Sequence, residues 1–231
     1  MDSLNAIRDK DKIILHLCAD IGSDTKKYVD AGYDVRLIGK KIGVENFSLK
    51  KGTLDYVGNV YGIIANPVCT DFSIATGFDK KRDYGKGMFL VNHCLRIIEE
   101  AGKDSLAFWV IENPATGHLK DFLGKPQYVY EPWWYGDPWT KKTALWGKFN
   151  IPPRKYFKWE DVKGQIPTKS RLSSELGLYI RPGRTKPSMA FLHKSAKKYI
   201  PEFNCFNVNN DMEFRSLCPQ KFAMEFFAFN R

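Results

Sequence analysis

Three short segments carry side chains whose types and order suit covalent chemistry. They are LCADIGSD with Ala19 and Gly22, NPVCTDFS with Cys69, and ENPATG with Glu112. A cysteine thiolate is a strong nucleophile, but it needs a partner that accepts or supplies protons. Glu112 is the candidate partner, because a carboxylate ending an apolar strand is costly unless it faces a polar site, and Asn113 is placed to orient it. In the first segment, Ala19 and Gly22 would let a cofactor approach the backbone and the N-terminus of the next helix. A single glycine after a strand is also an ordinary turn, and a lone cysteine is ordinary core filler. The three segments therefore carry weight as a set, each following a strand.

The elements that must position them follow from hydrophobic periodicity. KIILHLC reads as a buried strand, SDTKKYVDAG as a helix ending near Gly32, and YDVRLIG as a second strand. YGIIANP is a further buried strand. In GMFLVNHCLRIIEEAGK, the residues Phe89, Leu90, His93, Cys94, Ile97 and Ile98 recur at helical spacing, with Gly102 as a stop. SLAFWVIEN is the next strand. This alternation predicts an α/β fold with a doubly wound, mostly parallel sheet, whose ligands sit beyond the carboxyl ends of the strands. From Pro126 the texture changes to prolines, aromatics and lysines, predicting loops and short strands. Phe222, Phe226 and Phe229 predict a closing helix that returns to the sheet. The expected division is a catalytic and cofactor-binding domain over 1–125, a basic, aromatic-rich recognition region over 126–200, and a returning segment over 201–231.

Composition narrows the class. With 231 residues and 43% apolar content the chain is long enough for a full core. The formal charge of +10 favours a polyanionic partner such as nucleic acid, and the basic residues gather between Lys141 and Lys198. No apolar run is long enough for a membrane span, and the polar start MDSLNAIRDKDK lacks a signal core, so the expectation is a cytoplasmic protein with no membrane partner. The five cysteines form no CxxC pair, and no metal is expected. His16 and His93, in apolar segments, read as satisfied core residues. Trp133, Trp134 and Trp139 could stack bases or simply pack.

Taken together, these segments resemble the cytosine-C5 DNA methyltransferase family in its short phage and bacterial form. ILHLCADIGSDTKKYVDAGYDV resembles the family's first cofactor motif and the helix after it; IIANPVCTDFS resembles the Pro-Cys nucleophile loop, and WVIENP the Glu-Asn motif. WYGDPWTKKTALWG is similar to the segment leading into the family's basic substrate motif, and RSLCPQKFAMEFFAFNR to its closing segment. The resemblance implies a methyltransferase-type sheet and S-adenosylmethionine as cofactor, bound near Leu17, Cys18, Ala19, Asp20, Gly22, Asn66 and Pro67. It implies that Cys69 adds to C6 of cytosine while Glu112, which Asn113 would orient, hydrogen-bonds the ring at N3. It also places Ser73, Trp139, Lys141, Lys142 and Thr143 against the nucleic acid, expected to be DNA.

The chain departs from that pattern at defined points. Asp20 stands where the family usually has glycine, and Gly39 and Lys40 follow the second strand with no acid for the ribose hydroxyls. Val68 replaces the proline before the cysteine. Trp139, Lys141 and Thr143 stand where Gln, Arg and Arg are common, and lysine does not reproduce arginine's bidentate geometry. Two alternatives stay open: an enzyme of the same chemistry acting on RNA or a nucleotide, and a non-catalytic nucleic-acid-binding protein that keeps the fold.

Overall fold

A computed structural model describes residues 11–19, 21–53, 59–74, 81–169 and 177–231. Apolar alternation builds its centre. β1 (Ile13–Leu17), β2 (Asp34–Ile38), β3 (Val60–Ala65) and β4 (Phe108–Pro114) pair in parallel. β5 (Tyr128–Tyr130) and β6 (Thr143–Lys148) add antiparallel, giving the order β2-β1-β3-β4-β6-β5. The fold is α/β with a mostly parallel, mixed sheet compatible with a Rossmann-like architecture. The expected boundary at residue 125 does not follow the sheet, since β5 and β6 come from beyond it. From β1 the chain crosses to one neighbour, β2, and then back to the other, β3. That reversal opens a crevice at their carboxyl ends.

The described α-helices are α1 (Lys26–Asp30), α2 (Tyr84–Glu100), α3 (Lys120–Leu123), α4 (Asp211–Ser216) and α5 (Gln220–Phe229). Side chains alternate across each strand, so one sheet face and then the other is presented to a helical layer. Leu15, Leu17, Ile63, Ala65 and Ile111 meet Val91, Cys94, Ile97 and Ile98 of α2. On the opposite face Ile14, Ile64, Phe108 and Val110 meet Tyr28 of α1 and Phe222 and Phe226 of α5.

Two expected helix faces need correction. α2 begins at Tyr84, capped by Asp83, whose side chain accepts from the Lys86 backbone N–H. Its buried line runs through Gly87, Val91, Cys94, Ile97 and Ile98, which leaves Phe89 outside, 51% exposed and edge-on to His93. In α5, Phe222 and Phe226 are buried as expected, but Phe229 is 44% exposed at the last turn, and Phe227 packs instead.

Between β6 and α5 the chain makes few regular elements. Leu178, Met189, Leu192, Ile200, Phe203 and Phe214 nevertheless close a separate apolar cluster around Trp139, built on 3-10 turns and α4. Backbone bonds from Thr140 to Pro187 and from Met189 to Thr140 pin this lobe to the strand leading into β6. Among the described residues no helix is long and apolar enough to cross a membrane, and no group of three His, Cys, Asp or Glu side chains could hold a metal ion.

Candidate active site

Register explains how the site assembles. Leu17, Ala65 and Ile111 lie level across β1, β3 and β4. One residue further on, Asn66, just past β3, and Glu112, still within β4, therefore stand side by side. Alternation turns them, with His16, to the face that also carries Ile14, Ile64 and Val110. The polar side chains then bond one another. Asn66 Nδ2 donates to Glu112 Oε2 at 3.2 Å and to Asp24 Oδ1 at 3.3 Å. Asn66 Oδ1 lies 2.7 Å from His16 Nε2, and His16 Nδ1 lies 3.0 Å from Thr25 Oγ1. Burial pushes His16 down, so it is held neutral, although Asp24 and Asn66 act in the other direction.

Cys69 arrives from the loop after β3, half-buried beside the exposed Val68. Its carbonyl accepts from the backbone N–H groups of Phe72 and Ser73, which fixes the start of the turn. Burial raises its thiol, the charge of Glu112 raises it further, and Lys141 pulls it down. Glu112 is likewise raised, first by burial, then by Asp24, with Lys141 and Asn66 opposing. Cys69 and Glu112 thus lie within electrostatic reach of each other and of one cation. A space of about 20 Å³ behind Glu112, walled by Asp24, Tyr130, Cys218 and α5, holds about one water and no nucleobase, and Cys69 stands outside it.

The remaining expected site residues fall in different places. Asn113 does not orient Glu112: it points to the opposite face, fully buried, where its Nδ2 donates to Pro67 O at 2.9 Å and so anchors the Cys69 loop to β4. Asn66 does the orienting. Lys141 Nζ is bound by the carbonyls of Ser216 and Leu217 at 3.1 and 2.9 Å, so it ties the segment before α5 to the site. Lys142 is exposed. Thr143 is buried as the first residue of β6, its hydroxyl donating to Lys141 O. Trp139, expected against the nucleic acid, is 1% exposed and packs on Phe203 inside the lobe. An indole flanked by apolar side chains gains more from that burial than from a solvated face. Ser73 is buried behind Cys69.

The loop after β1 is tightly folded. Cys18 holds a left-handed backbone (φ 57°), and Gly22 another (φ 73°) that suits its lack of a side chain. Leu17 is fully buried and its carbonyl accepts from Asn66 N–H, while Ala19 N–H donates to Ile38 O. Asp20 lies outside the described residues. The helix N-terminus that a cofactor was expected to approach belongs to α1, which spans five residues and has Asp24 standing before it.

His16, Asp24 and Thr25 are the members that sequence reasoning passed over. The available signal was a histidine in a strand otherwise buried and apolar, since a buried ring nitrogen requires a partner. Compared with known proteins, the chain matches no family model and no curated relative.

Proposed function

We propose that the chain is a DNA cytosine-C5 methyltransferase with Cys69 as nucleophile and Glu112 as the carboxyl group that grips the base. One observation carries this reading: Cys69, Asn66 and Glu112 converge with Lys141 at the carboxyl end of a parallel sheet. In this reading Cys69 Sγ loses its proton to solvent and bonds to C6 of cytosine as the C5–C6 double bond opens and its electron pair shifts toward C5 and N3. Cytosine N3 accepts a hydrogen bond, so the carboxyl group meeting it must carry a proton, the direction in which burial pushes Glu112. S-adenosylmethionine, when bound, supplies the methyl group to C5. Loss of the C5 proton and expulsion of the Cys69 thiolate restore the ring. In duplex DNA the base must first leave the stack, because neither of its faces is otherwise open to the thiol.

The loop after β1 fits the methionine end of that cofactor. Its backbone turns at Cys18 and Gly22, and Asp24 offers a carboxylate to an ammonium group. Leu17, Ala19, Asn66 and Pro67 complete that wall. At the end of β2, Gly39 and Lys40 provide no carboxylate for the ribose.

A nucleic-acid-binding protein without methyl transfer is the second reading. It is favoured by the space behind Glu112, which Cys69 does not line. Intact-mass measurement separates the readings: the protein is mixed with S-adenosylmethionine and DNA, RNA or nucleotide containing 5-fluorocytosine. The proposal expects a covalent adduct with DNA. An adduct with RNA or nucleotide alone changes the substrate, and no adduct in any arm, with oligonucleotide binding retained, selects the second reading.

A further inference from the structure

The Asn66 amide faces two carboxylates, Glu112 and Asp24, and that fact decides the hydrogen positions of a longer chain. An amide oxygen turned toward both would repel them, so the NH2 group faces the carboxylates and Oδ1 faces His16. An acceptor 2.7 Å away requires His16 to donate from Nε2. Neutral imidazole then accepts at Nδ1, and the only hydrogen at that contact is the hydroxyl proton of Thr25, 3.0 Å away. Thr25 Oγ1 also lies 3.2 Å from Gly22 O, a second acceptor for that one hydroxyl proton. On the Glu112 side the donors therefore run one way, from His16 Nε2 to Asn66 and from Asn66 to Glu112.

We infer that His16 is a positioning residue: its Nε2–H fixes the Asn66 amide so that the amide NH2 occupies Glu112 Oε2, leaving the other carboxyl oxygen to carry the proton that meets the base. An oxygen that already accepts from an amide N–H is a poor place for a proton, so the chain selects the protonated oxygen as well as the side-chain rotamer. The inference rests on the methyltransferase reading for its consequence, though not for its geometry. Other groups facing Glu112 are Asp24 from the loop after β1, Lys141 from the strand leading to β6, Cys69, Tyr130 of β5 and Cys218 before α5. The variants below change His16 alone.

The test has one arm that needs no catalysis. Nitrogen-15 NMR of the wild-type imidazole is expected to show His16 neutral and protonated at Nε2 at pH 7; an Nδ1–H tautomer overturns the inference. Carbon-13 titration of the Glu112 carboxyl follows in His16→Ala and His16→Gln. With the donor gone, the Asn66 amide is free to turn its oxygen to Glu112, so the His16→Ala midpoint moves up. His16→Gln, which keeps a donor and an acceptor, returns it toward wild type. An unmoved midpoint in a folded His16→Ala protein overturns the inference; if that variant does not fold, the tautomer decides. With 5-fluorocytosine DNA, His16→Ala is expected to slow adduct formation about tenfold at saturating substrate with KM nearly constant, a fraction of what a general acid contributes. It is also expected to shift the pH profile upward with the Glu112 midpoint. If wild type forms no adduct at all, the functional reading fails and the two NMR readouts alone judge the relay.

Discussion

Glu112 and Asp137 are both carboxylates shifted upward by burial, yet their surroundings differ in kind. Glu112 lies within β4, just past the level at which β3 ends, keeps some solvent contact, and is met by an amide, a cation and a thiol. Asp137 sits in the loop between β5 and β6, 1% exposed, and is driven up to about 8. It is favoured there by Lys221 and by the backbone N–H groups of Lys221 and Phe222 in the first turn of α5. Its Oδ2 has no hydrogen-bond partner among the described residues. Burial by itself therefore does not mark a reactive group. In the proposed reading access and a donor set aimed at one oxygen do, whereas Asp137 faces only the first turn of α5.

The sharpest way to break this comparison is at the sheet mouth. Cys69→Ser is expected to reduce adduct formation and methyl transfer to background with DNA binding retained, since a hydroxyl is far less ionised and less nucleophilic than a thiol. Undiminished methylation by that variant would refute the mechanism. In wild type, the raised thiol means that the thiolate fraction grows with pH, so the adduct rate should climb above neutrality as long as Glu112 still carries its proton. Glu112→Gln should cost roughly 10²–10⁴ in rate while denaturant stability changes little. Asp137→Asn should leave the rate alone. A pair of kinetic and urea measurements on both variants shows whether the two carboxylates are as different as their surroundings.

Stability contrasts the two hydrophobic regions. Phe108, enclosed by Tyr28, Tyr61 and Phe226, belongs to the sheet; Phe203, against Trp139, Phe206 and Phe214, belongs to the lobe. Each Phe→Ala change should cost about 3–5 kcal/mol. Only the Phe203 variant should leave β1, β3 and β4 amides protected from hydrogen exchange while residues 178–217 lose protection. Equal loss of protection throughout would show that sheet and lobe open as one unit.

A further expected effect is the pH dependence that Asp137 confers. Its carboxyl binds a proton more tightly in the folded chain, about 8, than at its ordinary value of 3.8. Its contribution to stability is therefore complete below about 4, declines as pH rises between those values, and is lost above about 8. Urea midpoints at pH 5 and pH 8 should differ less in Asp137→Asn than in wild type. A slope equal to that of wild type would remove Asp137 as its source.

What the sequence determined by itself was local. Runs such as IILHL and FWVIEN are apolar, short and bounded by polar turns, so they formed strands, and the segments after them gathered at one end of the sheet because parallel strands share a direction. That was enough to bring Cys69 near Glu112. The tertiary structure decided what no local pattern encodes. It gave the orienting role to Asn66 instead of Asn113, because alternation puts neighbours in sequence on opposite faces while register puts Asn66 beside Glu112 across 46 positions. It drew His16 from the core into the site, buried Trp139 in a lobe without periodicity, and turned Lys141 toward the carbonyls of Ser216 and Leu217. Each of these depends on a partner distant in the chain, and a hydrogen bond or an apolar contact is a property of the pair.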